Sequence, residues 1–231
     1  ADPKLKSRYE VFIGGKFVPP AGGKYFDSIN PANVQKLAEM AVGGAADVDA
    51  AYAAAVKAFE GGWGRMPGRE RGKYLFRIAR LLQDRAREFA VAETMDNGKP
   101  IKETRDFDVP MAAAHFFYHA GWADKLDYVA PGGRLAPLGV VGQVIPWNFP
   151  LLMLAWKIAP ALAAGNCVVI KPASNTPINA VKLAEIFQQA DLPPGVVNVI
   201  TGPGSTGGLL MAHPAAAKIA FTGSTEVGKV I

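Results

Sequence analysis

The sequence predicts an α/β protein on a doubly wound parallel sheet, and three observations carry that prediction. From residue 139 onward, short apolar runs at 139–145, 167–170, 196–200 and 218–221 alternate with helical segments near 150–164, 177–190 and 205–212. Connections of that length between Val/Ile-rich runs are crossover helices joining parallel strands. Second, half of the 231 residues are hydrophobic, which suits one large domain or two small ones around a sizeable core. Third, each apolar run ends in residues that a core does not hold. These ends are Pro146-Trp147-Asn148, Lys171-Pro172-Ala173-Ser174, Gly202-Pro203-Gly204-Ser205 and Thr222-Gly223-Ser224-Thr225. In a parallel sheet they lie along one edge, where ligands bind.

The elements follow in order. Residues 8–30 alternate apolar and polar around Gly14-Gly15 and Gly22-Gly23, so YEVFIGGKFV reads as an edge hairpin. Asp47 is placed as the cap of a helix whose stripe is Val48, Ala51, Tyr52, Ala55, Val56 and Phe59. After Gly61-Gly62 and Pro67-Gly68 a longer helix runs to about Glu93, with Leu75, Ile78, Ala79, Leu82, Ala86 and Phe89 on one face. Asn97-Gly98 and Pro100 end that segment. Residues 101–125 form a further helical stretch, and the glycine-rich piece from Ala130 to Leu135 is a turn. Thr176-Pro177 is a cap followed by proline at the first helical position. No internal repeat or low-complexity tract interrupts the chain. It divides into residues 1–125, 126–138 and 139–231.

Composition excludes several functions. The net charge of +5 is spread along the chain, and the most basic stretch, 65–87, also holds Glu70 and Asp84. It reads as a solvated helix face, and no nucleic-acid partner is expected. One cysteine excludes an internal disulfide and a thiolate-built metal site, which fits a reducing, cytoplasmic setting. The polar start ADPKLKSRYE has no apolar signal core and no initiating Met, so a processed, tagged or excised chain is expected. The longest apolar stretch, 149–165, is broken by Lys157 and Pro160 and falls short of the roughly 18 residues of a membrane span. No metal site is expected either. His115 and His119 are four apart, but the aromatic residues between them read as a packed helix. His213 reads as a surface loop residue, and Asp106 with Asp108 as a solvated helix start.

The strand ends carry specific chemistry. Gly223 allows close approach of a phosphate, with the Ser224 hydroxyl and a following helix start beside it. Lys171, closing CVVIK, either reaches solvent or donates to the hydroxyls or phosphates of a nucleotide. Gly202-x-Gly204 with Gly207-Gly208 is only loosely a dinucleotide fingerprint, and a plain turn explains it as well. Asn148 offers an amide suited to holding a developing oxyanion.

The ordered set GQVIPWNFPLLMLAWKIAPALAAGN, VVIKPAS, PPGVVNVITGPGSTGG and FTGSTEVGK resembles the aldehyde dehydrogenase superfamily. VFIGGKFV, NPA and Trp63 with its following helix are similar to that family's amino-terminal region, so the likeness covers nearly the whole chain. The resemblance implies a Rossmann-like cofactor domain and NAD(P)-dependent oxidation of a small-molecule aldehyde to a carboxylic acid. In that chemistry a cysteine thiolate attacks the aldehyde, an asparagine amide holds the oxyanion, hydride passes to nicotinamide, and a glutamate activates water. It implies that Asn148 is the oxyanion donor and that Ile145, Pro146, Trp147, Lys171, Ser174, Gly204, Gly208, Phe221, Gly223, Ser224 and Val227 bind NAD or NADP. Phe149, Met153, Trp156 and Lys157 match the substrate tunnel and the lysine beside the catalytic centre.

Three departures qualify that likeness. The family's glutamate, in an E-L-G-G-type motif, and its cysteine lie beyond FTGSTEVGK, so neither is expected within these residues. Cys167, inside an apolar strand, does not replace the thiol. The chain thus reads as an amino-terminal portion, inactive alone, with a non-catalytic nucleotide-binding or assembly protein as the alternative. Ser174 stands where many members carry an acid that repels a 2′-phosphate, so NADP tolerance is expected. LDYVAPGGRL is short for the family's oligomerisation arm, so a homo-oligomer of the full-length form rests on resemblance alone.

Overall fold

The Val- and Ile-rich runs become strands in the computed structural model, which describes residues 3–129, 131 and 135–231. The strands are β1 (Arg8–Tyr9), β2 (Val11–Ile13), β3 (Lys16–Val18), β4 (Tyr25–Ile29), β5 (Lys36–Ala41), β6 (Val140–Val144), β7 (Cys167–Lys171), β8 (Val197–Val199) and β9 (Ala216–Phe221). A six-stranded sheet runs in the order β3-β2-β8-β7-β6-β9. Its β8, β7, β6 and β9 are mutually parallel, as the crossover argument requires. The expected hairpin forms from β2 and β3, and β2 docks antiparallel on β8 through Phe12 and Val199. The amino-terminal hairpin therefore extends the sheet built by residues 139–231. A separate three-stranded sheet, β1-β5-β4, was not legible as strands beyond the hairpin.

The helices are α1 (Ala45–Glu60), α2 (Gly68–Asp84), α3 (Ala86–Asn97), α4 (Ile101–Glu103), α5 (Val109–Trp122), α6 (Pro150–Ala163), α7 (Ile178–Gln189), α8 (Gly204–Met211) and α9 (Thr225–Val230), with a π-helical turn at Thr104–Asp108. One buried cluster joins α1, α2, α5, α6 and α7 to the central strands through residues such as Tyr52, Leu75, Phe116, Leu154 and Val181. The short arm region opens with a 3-10 turn, Leu126–Tyr128, and its residues 130 and 132–134 lie outside those described.

Three local expectations are corrected. Asp47 lies inside the first turn of α1, where its Oδ2 accepts from the Gly44 amide at 2.9 Å and its Oδ1 from the Ala21 amide at 2.9 Å. The long helix ending near Glu93 breaks at Arg85, whose guanidinium is drawn to Glu88 at 2.6 Å and to Glu185 at 2.7 Å. Thr176 does not cap α7, because Asp96 Oδ2 accepts the Ile178 amide at 2.9 Å instead. One turn back on α3, Glu93 Oε1 accepts the Leu151 amide at 3.1 Å. Two acids on one helix thus satisfy the open amides of α6 and α7.

Burial pushes the Glu93 and Asp96 carboxyls up, each to about 7. A carboxyl raised on folding binds more protons in the native state, so its stabilisation is lost as pH rises through 7. Each group is worth on the order of 1 kcal/mol between pH 6 and pH 8. The melting temperature is therefore higher at pH 6 than at pH 8, by about 5 °C for a chain of this size. Glu93→Gln and Asp96→Asn flatten that slope in thermal melts; an unchanged slope in both contradicts the assignment.

Candidate functional site

Four parallel strands deliver their carboxyl ends to one side of the sheet, and a cavity of about 500 Å³ opens there. The end of β6 and the loop after it supply Val144, Ile145, Pro146, Trp147 and Asn148; the end of β7 supplies Lys171, Ala173, Ser174 and Asn175. Gly204 comes from the start of α8, and Phe221, Thr222, Gly223, Ser224 and Val227 come from β9 and α9. Pro146 ends the β6 ladder because it has no amide to donate. Trp147 and Asn148 are exposed on the resulting loop.

Lys171 does not reach solvent. It is 4% exposed, and its ammonium gives one of its three protons to the Pro172 carbonyl at 2.9 Å. Burial pushes its pKa down to about 8. A buried cation beside a cavity of this size suits a ligand that offers hydroxyl or phosphate oxygens. Ser224 Oγ accepts the Val227 amide at 3.3 Å and so opens α9. A side chain at position 223 would bring its Cβ within 2.4 Å of the Phe221 ring, so glycine keeps this corner clear.

Not every expected residue lines the cavity. Gly208 lies on the exposed side of α8, one turn beyond Gly204. Phe149, Met153, Trp156 and Lys157 sit beyond the Asn148 rim, at the start of α6 and along it. Lys157 reaches back, with its Nζ donating to Thr222 Oγ1 at 2.5 Å, and burial lowers its pKa. Trp156 is half exposed and stacks on His115 at 5.4 Å. Val144 and Asn175 line the cavity without having been singled out, since neither differs from an ordinary strand or loop residue.

Other expectations resolve as follows. Asp108 is fully buried and paired with Lys99, whereas Asp106 is solvated beside Arg105. His213 is not a free loop residue; its ring stacks on buried Tyr52 at 4.0 Å. Cys167 is buried in β7, and burial pushes its thiol up to about 12, so it is a structural thiol. A larger hollow, about 780 Å³, lies beside Tyr52 and His213, but its charged groups Asp49, Lys57 and Glu60 are all exposed. Among the described residues no group of three or more His, Cys, Asp or Glu side chains could hold a metal ion. No helix among them is long and apolar enough to cross a membrane.

Residues 17–231 match the aldehyde dehydrogenase family. The chain belongs to that family. It is 48% identical to aldehyde dehydrogenase B of Escherichia coli, over 99% of this chain and 46% of that protein. It is 48% identical to an acetaldehyde dehydrogenase of Pseudomonas aeruginosa, over 98% of this chain and 46% of that protein. Among solved structures, an NAD+ complex of an aldehyde dehydrogenase from Bacillus cereus superposes with a TM-score of 0.92 at 38% identity, covering 98% of this chain and 48% of its own. This aldehyde dehydrogenase chain spans about half the length of the relatives it matches. Its mostly parallel sheet and flanking helices are the family's amino-terminal cofactor-binding architecture.

Proposed function

We propose that this chain is the cofactor-binding part of an NAD(P)-dependent aldehyde dehydrogenase and carries the oxyanion donor of its reaction. One observation carries the reading: four strand ends converge on a cavity whose floor holds the buried ammonium of Lys171 and whose rim holds Asn148. Lys171 and Ser174 take the ribose hydroxyls, Gly204 faces the adenine side with Gly208 one turn away, and Gly223 and Ser224 take the pyrophosphate between Phe221 and Val227. Ile145, Pro146 and Trp147 bring the other end of the cofactor to Asn148. NAD or NADP, when bound, accepts hydride from the substrate carbon.

The Asn148 amide donates to the aldehyde oxygen as a thiolate adds to the carbon and negative charge grows on that oxygen. Phe149, Met153 and Trp156 form an apolar wall for the aldehyde, and the Lys157 ammonium lies behind Thr222. Cys167 does not supply the thiolate, because its sulfur is inside the sheet. The reaction further requires a thiolate other than Cys167 and a base that activates water for release of the acid.

Ser174 is exposed at the cavity edge. It carries no charge to repel a 2′-phosphate, so NADP is accepted alongside NAD. Ser174→Glu is expected to weaken NADP binding about tenfold or more while leaving NAD binding nearly unchanged. Titration of both cofactors against both proteins checks this, and a strong wild-type preference for NAD overturns it. The activity is tested by following reduced nicotinamide with acetaldehyde and either cofactor in the catalytically complete protein. Absence of turnover there overturns the proposed function.

A further inference from the structure

Asn148 makes no hydrogen bond among the described residues, yet its neighbours are held from one short stretch of chain. Lys99, in the turn between α3 and α4, places its Nζ 3.8 Å from the centroid of the Phe149 ring. The same nitrogen is 2.5 Å from Oδ2 of Asp108, a carboxylate with no exposed surface. Asn97 Nδ2 donates to the Trp147 carbonyl, and Glu93 Oε1 accepts the Leu151 amide at 3.1 Å. Positions 147, 149 and 151 are therefore each tied to residues 93–99, and Asn148 is suspended between the first two ties.

The physical logic is directional. A buried carboxylate is strongly unfavourable without its cation, so Asp108 holds the Lys99 ammonium in place. A fixed ammonium over an aromatic face attracts that ring, all the more when water is excluded, and Lys99 is only 13% exposed. The ring of Phe149 then cannot swing without leaving the cation, and the Trp147 carbonyl cannot turn without leaving Asn97. The loop itself offers little resistance, since Pro146 gives no amide and the Phe149 backbone is neither helical nor extended (φ −140°, ψ 67°).

We propose that Lys99, with its charge anchored by Asp108, is a positioning residue: together with Asn97 it clamps the 147–149 loop so that the Asn148 amide points at the reacting oxygen. The inference rests on the oxyanion role given to Asn148 above. It assigns a catalytic consequence to a charge pair that touches neither cofactor nor substrate.

The test compares Lys99→Arg, Lys99→Met and the double variant Lys99→Met/Asp108→Asn in the catalytically complete protein. Lys99→Met alone strands a buried charge and is prone to misfold, so the double variant, which removes both charges, is the decisive one. The clamp predicts a cooperatively folded double variant with kcat about tenfold lower, cofactor Kd within about twofold of wild type, and faster hydrogen exchange at the 147–149 amides. Lys99→Arg, which keeps both the ion pair and the ring contact, restores kcat. A purely structural pair lowers the melting temperature and leaves kcat per folded molecule and the 147–149 exchange unchanged; that result overturns the proposal. If the wild-type protein oxidises no aldehyde, the proposed function fails separately. The exchange measurement then still decides the clamp, with faster exchange supporting it and unchanged exchange overturning it.

Discussion

Asn148→Ala in the catalytically complete protein lowers kcat for aldehyde oxidation by about 10²–10³, the usual loss when one oxyanion donor is removed. The structure also predicts what does not change. Asn148 is exposed and makes no hydrogen bond among the described residues, so the melting temperature stays within about 1 °C. Cofactor affinity holds as well, because Lys171, Ser174, Gly204, Gly223 and Ser224 lie on other strand ends. Asn148→Asp is worse than alanine, since it sets a carboxylate where negative charge must grow. Steady-state kinetics with thermal melts of the three proteins check this pattern. A kcat within threefold of wild type in Asn148→Ala removes Asn148 from the reaction.

Gly195→Ala is expected to damage the fold severely. Gly195 has φ +89°, and an added Cβ would sit 2.4 Å from the backbone oxygen of Ala54 and 3.2 Å from the Ala58 Cβ. The left-handed backbone penalises any other residue, and the clash with a carbonyl of α1 cannot be relieved by turning a side chain. The two effects together cost about 3 kcal/mol or more. The damage lands at the amino-terminal end of β8, opposite the cavity: Asn198 donates to the Gly195 carbonyl at 2.8 Å and accepts the Gly14 amide at 2.9 Å, which ties the β2–β3 turn to β8. Urea denaturation measures the loss, and a midpoint equal to wild type contradicts the packing described.

The parts of this fold that were legible in the sequence are those set by periodicity and punctuation. Strands β6 to β9 follow from Val- and Ile-rich runs bounded by Gly and Pro, and their converging ends were the basis for placing a site at all. Strand β5 was hidden because KLAEMA mixes charge with small apolar residues; its partners β1 and β4 fall inside the alternating 8–30 stretch, but their pairing with β5 is set only in the tertiary structure. The break at Arg85 was hidden because the apolar stripe continues across it from Leu82 to Phe89; the reason for the break is Glu185, one hundred residues away. Capping failed in the same way. Asp96 takes the amide that Thr176 was expected to serve, and only the tertiary structure brings α3 to α7. In the site, chemistry-bearing residues stood out where they ended strands. The 93–108 stretch, which holds the Asn148 loop from below, did not, because Asp108 looks solvated until its burial is known.

The central claim is that the four strand ends form a dinucleotide site built around Lys171. Isothermal titration of NAD into the protein, with Lys171→Met measured alongside, tests it most directly. The account predicts saturable one-to-one binding in the wild type, weaker by about tenfold or more in a folded Lys171→Met protein. Folded wild-type protein that shows no saturable binding, or a Lys171→Met protein that binds as tightly as wild type, would contradict it.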